Sequence, residues 1–367
     1  MDHADDDTDD VAERQHFSAI LRALRYYPRW ALAKIARLET NYMALGPRQQ
    51  QLLDTAGKIA DMRMAVHENA SLLELIADAH SDHVGAPEEP HDAMARAGIA
   101  SESDMEKVQS TLKQFVREWG AEGHAEREAA HGPILDALAR ALPRGALDGA
   151  RVLVPGAGLG RLAWEAANRG YLAQASEFSY FMLVASNFIL NTLQKHGSVT
   201  VRPWVLQTCN TRSRADMIRA CDVPDVRPWS LPHAANLSMC AGDFLDVYRD
   251  QSSCWEAVLS LFFIDTAHNI QQYISLISQL LTPGGAWVNL GPLLWHFSDL
   301  PNEVSVELTW EETRALIVDA GFVIEHEAWH RCSYVRNVRS MYMTEYDCIC
   351  FIARWPGPPG QRQPPVS

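Results

Sequence analysis

Three glycines and a carboxylate give the first chemical signal in this sequence. Gly156, Gly158 and Gly160 stand at alternate positions in Arg151-Val-Leu-Val-Pro-Gly-Ala-Gly-Leu-Gly-Arg-Leu-Ala-Trp-Glu165. A short apolar run leads into them and a helix-forming run follows, so the stretch writes a buried strand, a tight turn and a helix in unbroken order. Glycine lets the backbone pass close to a ligand, and the helix turns its unpaired N–H groups into the same space. Glu177 comes 17 residues after Gly160, at the end of the next apolar run. A carboxylate there can accept both hydroxyls of a ribose. Dinucleotide sites usually show G-x-G-x-x-G, whereas G-x-G-x-G with an acidic end to the second strand is the usual form for S-adenosylmethionine, which is the expected cofactor. The bland alternative for the glycines alone is a strand-to-helix turn that binds nothing.

These groups need a scaffold, and the chain after Arg151 reads as one. Strands at 151–155, 172–177, 237–241, 256–263 and 285–291 alternate with helices near 160–169, 179–194, 268–281 and 309–320, and closing strands fall near 322–330 and 344–353. That grammar predicts an α/β fold with a doubly wound parallel sheet. Earlier, from Ala12 to about His80, apolar residues recur at three and four (Phe17, Ile20, Leu21, Leu24; then Leu52, Leu53, Ile59, Met62), which is the period of amphipathic helices. Pro47, Pro87 and Pro90 break them, and a further helical segment runs from Ser103 to Ala141 with interruptions at Gly120 and Gly123. The expected organisation is an acidic disordered tail at 1–10, an N-terminal helical domain or lid at 11–145, the α/β domain at 146–355 and a Pro-rich disordered tail at 356–367. The long polar connection between Gln207 and Asn236 is expected to be a structureless lid or substrate wall.

Composition removes several function classes. With 367 residues, 47% of them hydrophobic, the chain can bury a catalytic core and a sizeable appendage. Its net charge of −14 repels a phosphate backbone, so no nucleic-acid partner is expected. No apolar run reaches the roughly 18 residues that span a bilayer. The N-terminus lacks the basic and apolar parts of a signal peptide, which reads as a cytoplasmic protein, with the nucleus as the alternative. Seven cysteines without a C-x-x-C pair suit a reducing compartment and offer no zinc framework, so no metal is expected. Cys348 and Cys350 read as small core residues on one face of a strand.

Several segments together resemble the carnosine N-methyltransferase family. They are Ser110-Thr-Leu-Lys-Gln-Phe-Val-Arg-Glu-Trp119, Val152 to Trp164, Glu177-Phe-Ser-Tyr-Phe-Met182 with Ser186-Asn-Phe188, Ala241-Gly-Asp-Phe244, Phe262-Phe-Ile-Asp-Thr-Ala-His-Asn269 and Asn289-Leu-Gly-Pro-Leu-Leu-Trp-His-Phe297. The glycine turn is shared with many methyltransferases; the last two segments are far more specific. The resemblance spans about residues 105–353 and implies a Rossmann-like class I methyltransferase fold. The implied reaction places a methyl group on an imidazole nitrogen of a histidine-containing dipeptide, carnosine giving anserine. It implies that Gln114 and Arg117 clamp the methionine end of the cofactor, Gly156 with Gly158 lies under it, Glu177 holds the ribose, and Asp243 with Phe244 contacts the adenine. Arg117 can pair bidentately with a carboxylate. Its alternative is a solvated helix-surface arginine, although its one-turn neighbours Lys113, Gln114, Gly120 and Ala121 offer no carboxylate.

On the substrate side the resemblance places Asp265, His296 and Tyr346 around the imidazole. Asp265 follows the apolar run Val258 to Ile264, at a strand end where doubly wound folds put their chemistry. A neutral imidazole has one N–H and one lone pair, and only the lone pair can take a methyl group. A carboxylate accepting the N–H fixes the tautomer and stabilises the charge that develops. No strong base is needed, because an imidazole with a pKa of about 6.5 is largely neutral near pH 7. The alternatives are a buried histidine satisfied by a backbone carbonyl for His296 and a core strand tyrosine for Tyr346. The stretch Met341-Tyr-Met-Thr-Glu345 is less aromatic than expected of the animal members, so the acceptor stays open between a dipeptide, another imidazole compound and a histidine in a peptide or protein. A cofactor-binding fold without activity, serving as an interaction module, is the reading from another class. The helical half is also expected to present an apolar face to a second copy, giving a homodimer.

Overall fold

The computed structural model describes residues 3–80, 100–232 and 236–358, with side chains from Glu13 onward. Two compact units emerge. One comprises Met1–Gly123, Tyr180–Arg227 and Val335–Met343; the other comprises His124–Ser179, Pro228–Tyr334 and Thr344–Ser367.

The first unit is built on helices α1 (His3–Met43), α2 (Pro47–Leu53), α3 (Thr55–Asp78) and α4 (Glu102–Trp119). Ile20, Leu24, Tyr27, Ala31 and Ile35 recur at three and four on α1 and are buried, as are Ile59, Met62, Val66, Leu73 and Ile76 on α3, which packs against it. Pro47 occupies the first turn of α2, where its missing N–H costs nothing, which is why the chain breaks there. Pro87 and Pro90 lie outside the described residues. Ser101 and Asp104 start α4 with a reciprocal capping box. The structure corrects three expectations. Helix α1 begins at His3, inside the stretch expected to be a disordered acidic tail, because a helix N-terminus favours negative side chains. The connection expected to be structureless holds a helical turn at Arg214–Met217, strand β4 (Cys221–Val223) and a 3-10 turn at Pro228–Ser230. Strand β4 pairs antiparallel with β3 (Val199–Val201). The helix expected over 179–194 is α-helical only as α7 (Tyr180–Asn187), then passes through a π turn at Phe188–Thr192.

The second unit is the sheet. Its seven strands are β1 (Arg151–Pro155), β2 (Leu172–Glu177), β5 (Leu237–Ala241), β6 (Trp255–Leu261), β7 (Leu281–Gly291), β8 (Val323–Cys332) and β9 (Tyr346–Arg354), in the order β5-β2-β1-β6-β7-β9-β8. Neighbours from β5 to β7 pair in parallel; β9 runs antiparallel to both β7 and β8. Strand order reverses between β1 and β6, the position where doubly wound sheets bind ligands at the carboxyl ends of their strands. Side chains alternate between two faces. Val152, Val154, Leu259, Val288 and Cys350 pack with Ile134 and Leu138 of α5 (His124–Ala141) and Leu162 and Ala166 of α6 (Arg161–Asn168). Leu153, Val258, Trp287 and Phe351 pack with Ile274 and Ile277 of α9 (Ile270–Leu280) and Ile317 of α10 (Trp310–Asp319).

The units therefore do not divide at the expected residue 145. Helix α5 goes with the sheet because Ala130, Ile134 and Leu138 bury on it, while segments 180–227 and 335–343 go with the helices. Cys348 and Cys350 share one buried face as expected. The Pro-rich tail stays packed as far as Gly357, whose position abuts Pro283; residues 359–367 lie outside the described residues. Among those described, no helix is long and apolar enough to cross a membrane.

Candidate active site

The glycine turn leaves β1 at Pro155. Gly156, Gly158 and Gly160 all adopt left-handed φ angles, of 63°, 57° and 80°. At Gly156 space also decides, since a Cβ there would lie 2.6 Å from the Phe263 ring. The turn is stitched to the end of β2, which is stitched in turn to the end of β5. The Ala157 N–H donates to the Ser176 carbonyl at 3.0 Å, and the Gly242 N–H donates to the Glu177 carbonyl at 3.0 Å. The Glu177 carboxylate accepts from the Gly158 N–H through Oε2 and from the Ser179 N–H through Oε1, both at 2.8 Å. Burial pushes this carboxyl up, while N–H donors at Ser179, Gly158 and Phe178 pull it back. Each oxygen keeps acceptor capacity for a hydroxyl, so the half-buried group fits a ribose.

Asp243 follows β5 and caps the short helix α8 (Phe244–Tyr248), its Oδ1 accepting from the Leu245 N–H at 2.8 Å and the Asp246 N–H at 3.3 Å. Phe244 is a core aromatic, edge-on to Phe263 at 5.4 Å and to Tyr273 at 5.3 Å. Phe263, beneath Gly156 and against Phe244, escapes sequence reasoning; its one available signal is the paired phenylalanines at the end of β6.

Asp265 sits in the 3-10 turn Ile264–Thr266 just past β6 and is 2% exposed. Its Oδ2 accepts from the Leu294 N–H at 2.9 Å. Its Oδ1 is buried and has no hydrogen-bond partner among the described residues. Burial pushes this carboxyl up; the Leu294 N–H and the neighbouring His296 work against that. The His296 N–H donates to the Asp265 carbonyl at 3.0 Å. The His296 side chain is exposed, so the buried-histidine alternative fails. Between Leu294 and His296, Trp295 takes a left-handed φ of 48° and anchors the loop through its indole N–H on the Leu308 carbonyl at 3.0 Å. Beneath the site, Trp287 donates to Ser260, Ser260 to Asn289 and Asn289 to the Ile349 carbonyl, which ties β6, β7 and β9 together.

Tyr346 opens β9. It is only half-buried and lies 6.3 Å from the Phe262 ring, which in turn lies 5.1 Å from Tyr334. Tyr346 and Phe262 also pack against the buried core of the sheet, as the core-tyrosine alternative expects. Phe262 itself is held at a left-handed φ of 51°, and a Cβ at Gly291 would lie 3.2 Å from its backbone. Phe262 and Tyr334 were not singled out by sequence reading.

All of these residues lie in the sheet unit at one edge, where the parallel strands end and the antiparallel β9 begins. Gln114 and Arg117 lie in the helical unit. Arg117 is buried, its Nη1 3.5 Å from Gln114 Oε1 and 3.7 Å from Glu118 Oε1. The solvated-arginine alternative therefore fails, and Arg117 does meet a carboxylate, from the adjacent residue rather than from one turn away.

Comparison with known proteins decides the family. The family model described as carnosine N-methyltransferase matches residues 95–357. The carnosine N-methyltransferase of Rattus norvegicus is 42% identical over 348 residues, covering 94% of this chain and 87% of its own. The chain belongs to the carnosine N-methyltransferase family. The Drosophila melanogaster relative, carnosine N-methyltransferase unmet, is 35% identical, with 94% of this chain and 80% of that one covered. Among solved structures, the magnesium protoporphyrin IX methyltransferase of Synechocystis PCC 6803 with bound SAH shows 14% identity and a TM-score of 0.40, over 67% of this chain and 93% of that one. This family member is a class I methyltransferase, and its cofactor is S-adenosylmethionine. The turn at Gly156–Gly160 and the carboxylate of Glu177 are the groups of the sheet unit suited to hold it.

Proposed function

We propose that the chain methylates an imidazole nitrogen of a histidine-containing dipeptide, converting carnosine to anserine. The family's description supplies the dipeptide, and the unpartnered Oδ1 of Asp265 carries the chemistry. When bound, S-adenosylmethionine supplies the methyl group. Asp265 Oδ1 accepts the imidazole N–H, which fixes the tautomer and leaves the lone pair of the other nitrogen to be alkylated. As that nitrogen gains its methyl group, the ring becomes an imidazolium, and the adjacent carboxylate stabilises its charge at short range. The N–H proton then leaves to solvent. His296 orients the acceptor from the loop fastened to Asp265, and Tyr346 lines the ring's surroundings with Phe262 and Tyr334. Glu177 holds the ribose and Asp243 the adenine amino group. The roles of Gln114 and Arg117 at the methionyl end rest on the sequence resemblance.

The exposed His296 and Leu294 favour one second reading, a histidine carried on a peptide or protein. Transfer of labelled methyl to carnosine, homocarnosine, free histidine and histidine peptides separates the two. Turnover on peptides alone would overturn the dipeptide reading. Action in the cytoplasm is supported by seven free thiols. Assembly as a homodimer through the helical half is supported by Met43, Leu52 and Leu53, which are exposed around α2. A monomer in light scattering at micromolar concentration would overturn that assembly.

A further inference from the structure

Between the end of β7 at Gly291 and the start of α10 at Trp310, residues 292–309 form neither strand nor helix, and His296 lies on that stretch. A loop of this length inside a compact unit is usually functional, and it needs fastening. The segment that joins β6 to α9 fastens it twice. Asp265 takes the Leu294 and His296 N–H groups. Three residues further on, the His268 carbonyl accepts the Val306 N–H at 3.1 Å, and its Nδ1 lies 2.8 Å from the Val304 carbonyl. A carbonyl only accepts, so Nδ1 carries the proton and donates it. The Glu303 carboxylate, 3.9 Å from the same nitrogen, favours a proton there. The His268 ring also stacks on Phe297, the residue after His296, with centroids 3.6 Å apart and planes 21° apart. From Phe297 to Val304 the chain closes on itself through tight turns, Leu300 N–H to the Phe297 carbonyl at 3.0 Å and Glu303 N–H to the Leu300 carbonyl at 3.1 Å. His268 holds both ends of this span. Its side chain is 45% exposed, so it adds little to the core, and what it fixes is the course of the loop.

We propose that His268 is a positioning residue: by holding Phe297 and Val304 it sets where the exposed His296 ring stands toward the acceptor, without touching the acceptor itself. This inference rests on the role given to His296 in the function proposed above. His268→Leu removes both the donor and the stack. KM for carnosine should rise about tenfold, as for one lost orienting hydrogen bond, while kcat and S-adenosylmethionine affinity by calorimetry stay near wild type. His268→Asn, whose amide can donate to the same carbonyl, should restore most of the loss. In a His296→Ala background, His268→Leu should leave KM where His296→Ala alone puts it, because a residue that acts through another then has nothing to position. Unchanged KM in His268→Leu, no recovery in His268→Asn, or equal losses with and without His296 would overturn the proposal. So would a loss that falls equally on cofactor affinity and melting temperature, which marks a merely structural residue. Wild-type protein that transfers no methyl group to carnosine would instead sink the proposed function and this inference with it.

Discussion

Two carboxylates at the same edge of the sheet live in opposite circumstances. Glu177, at the end of β2, has a backbone N–H on each oxygen, so the fold itself satisfies it before any ligand arrives. Asp265, past the end of β6, is more deeply enclosed yet receives one N–H, on Oδ2, and leaves Oδ1 unmatched. A satisfied buried carboxylate is a fixture that shapes the turn around it. An unsatisfied one costs stability and is retained where it does work on a ligand. The contrast supports the proposed roles, Glu177 holding the cofactor and Asp265 serving the chemistry.

The largest expected effect breaks the Asp265 side of that contrast. Asp265→Asn keeps the shape and removes the charge facing the imidazolium, so turnover on carnosine should fall about 10²- to 10⁴-fold. Cofactor affinity by calorimetry should stay near wild type. Retention of most of the rate on every imidazole acceptor would leave Asp265 as a structural residue of its turn. Glu177→Ala should give the converse result. Cofactor affinity should drop by about 1.5–3 kcal/mol, while whatever turnover remains at saturating cofactor stays much closer to wild type. Equal affinity in the variant would remove the ribose role.

A smaller effect is expected at His296. Its ring is exposed and its backbone fastens the loop to Asp265, so His296→Ala should raise KM for carnosine by about tenfold and slow turnover less, as loss of one orienting hydrogen bond does. A fall in kcat with KM unchanged would move His296 from orienting the acceptor to the chemical step.

The same comparison shows what the sequence could and could not convey. The central strand β1 was legible because strands buried on both faces read as short apolar runs, and β2 and the edge strand β5 also fall at the expected residues, although no residue of β5 is buried. Strand β7 starts earlier than expected, at Leu281, because Leu281 pairs with Trp255 around an irregular register. The strands β3 and β4 are three residues each, too short to show a period. Glu177 was legible through its spacing from the glycines. The partner of Arg117 was not, since adjacent residues on a helix do not face each other and a one-turn search passes over Glu118. Nor could any pattern reveal that one oxygen of Asp265 goes unmatched, which depends on where the Leu294 loop returns, 29 residues later.

The subtlest prediction concerns stability and separates the two carboxylates by sign. Burial raises the Asp265 carboxyl above its unfolded value of about 3.9, so the folded state holds the proton more tightly than the unfolded chain does. Stability must then fall as pH rises from the unfolded value through the raised folded one, and the full penalty is present above it. Asp265→Asn removes this titration. The melting temperature of the variant minus that of wild type should therefore grow more positive as pH rises above the unfolded value of about 3.9 through the raised folded one. Glu177→Gln should behave differently although burial also raises Glu177. Its amide would turn an N–H toward the donor of either Gly158 or Ser179, leaving a clash of donors that destabilises whatever the pH. A difference between Asp265→Asn and wild type that stayed flat from about pH 4 upward would mean the Asp265 charge is compensated within the fold, and the contrast between the two carboxylates would collapse.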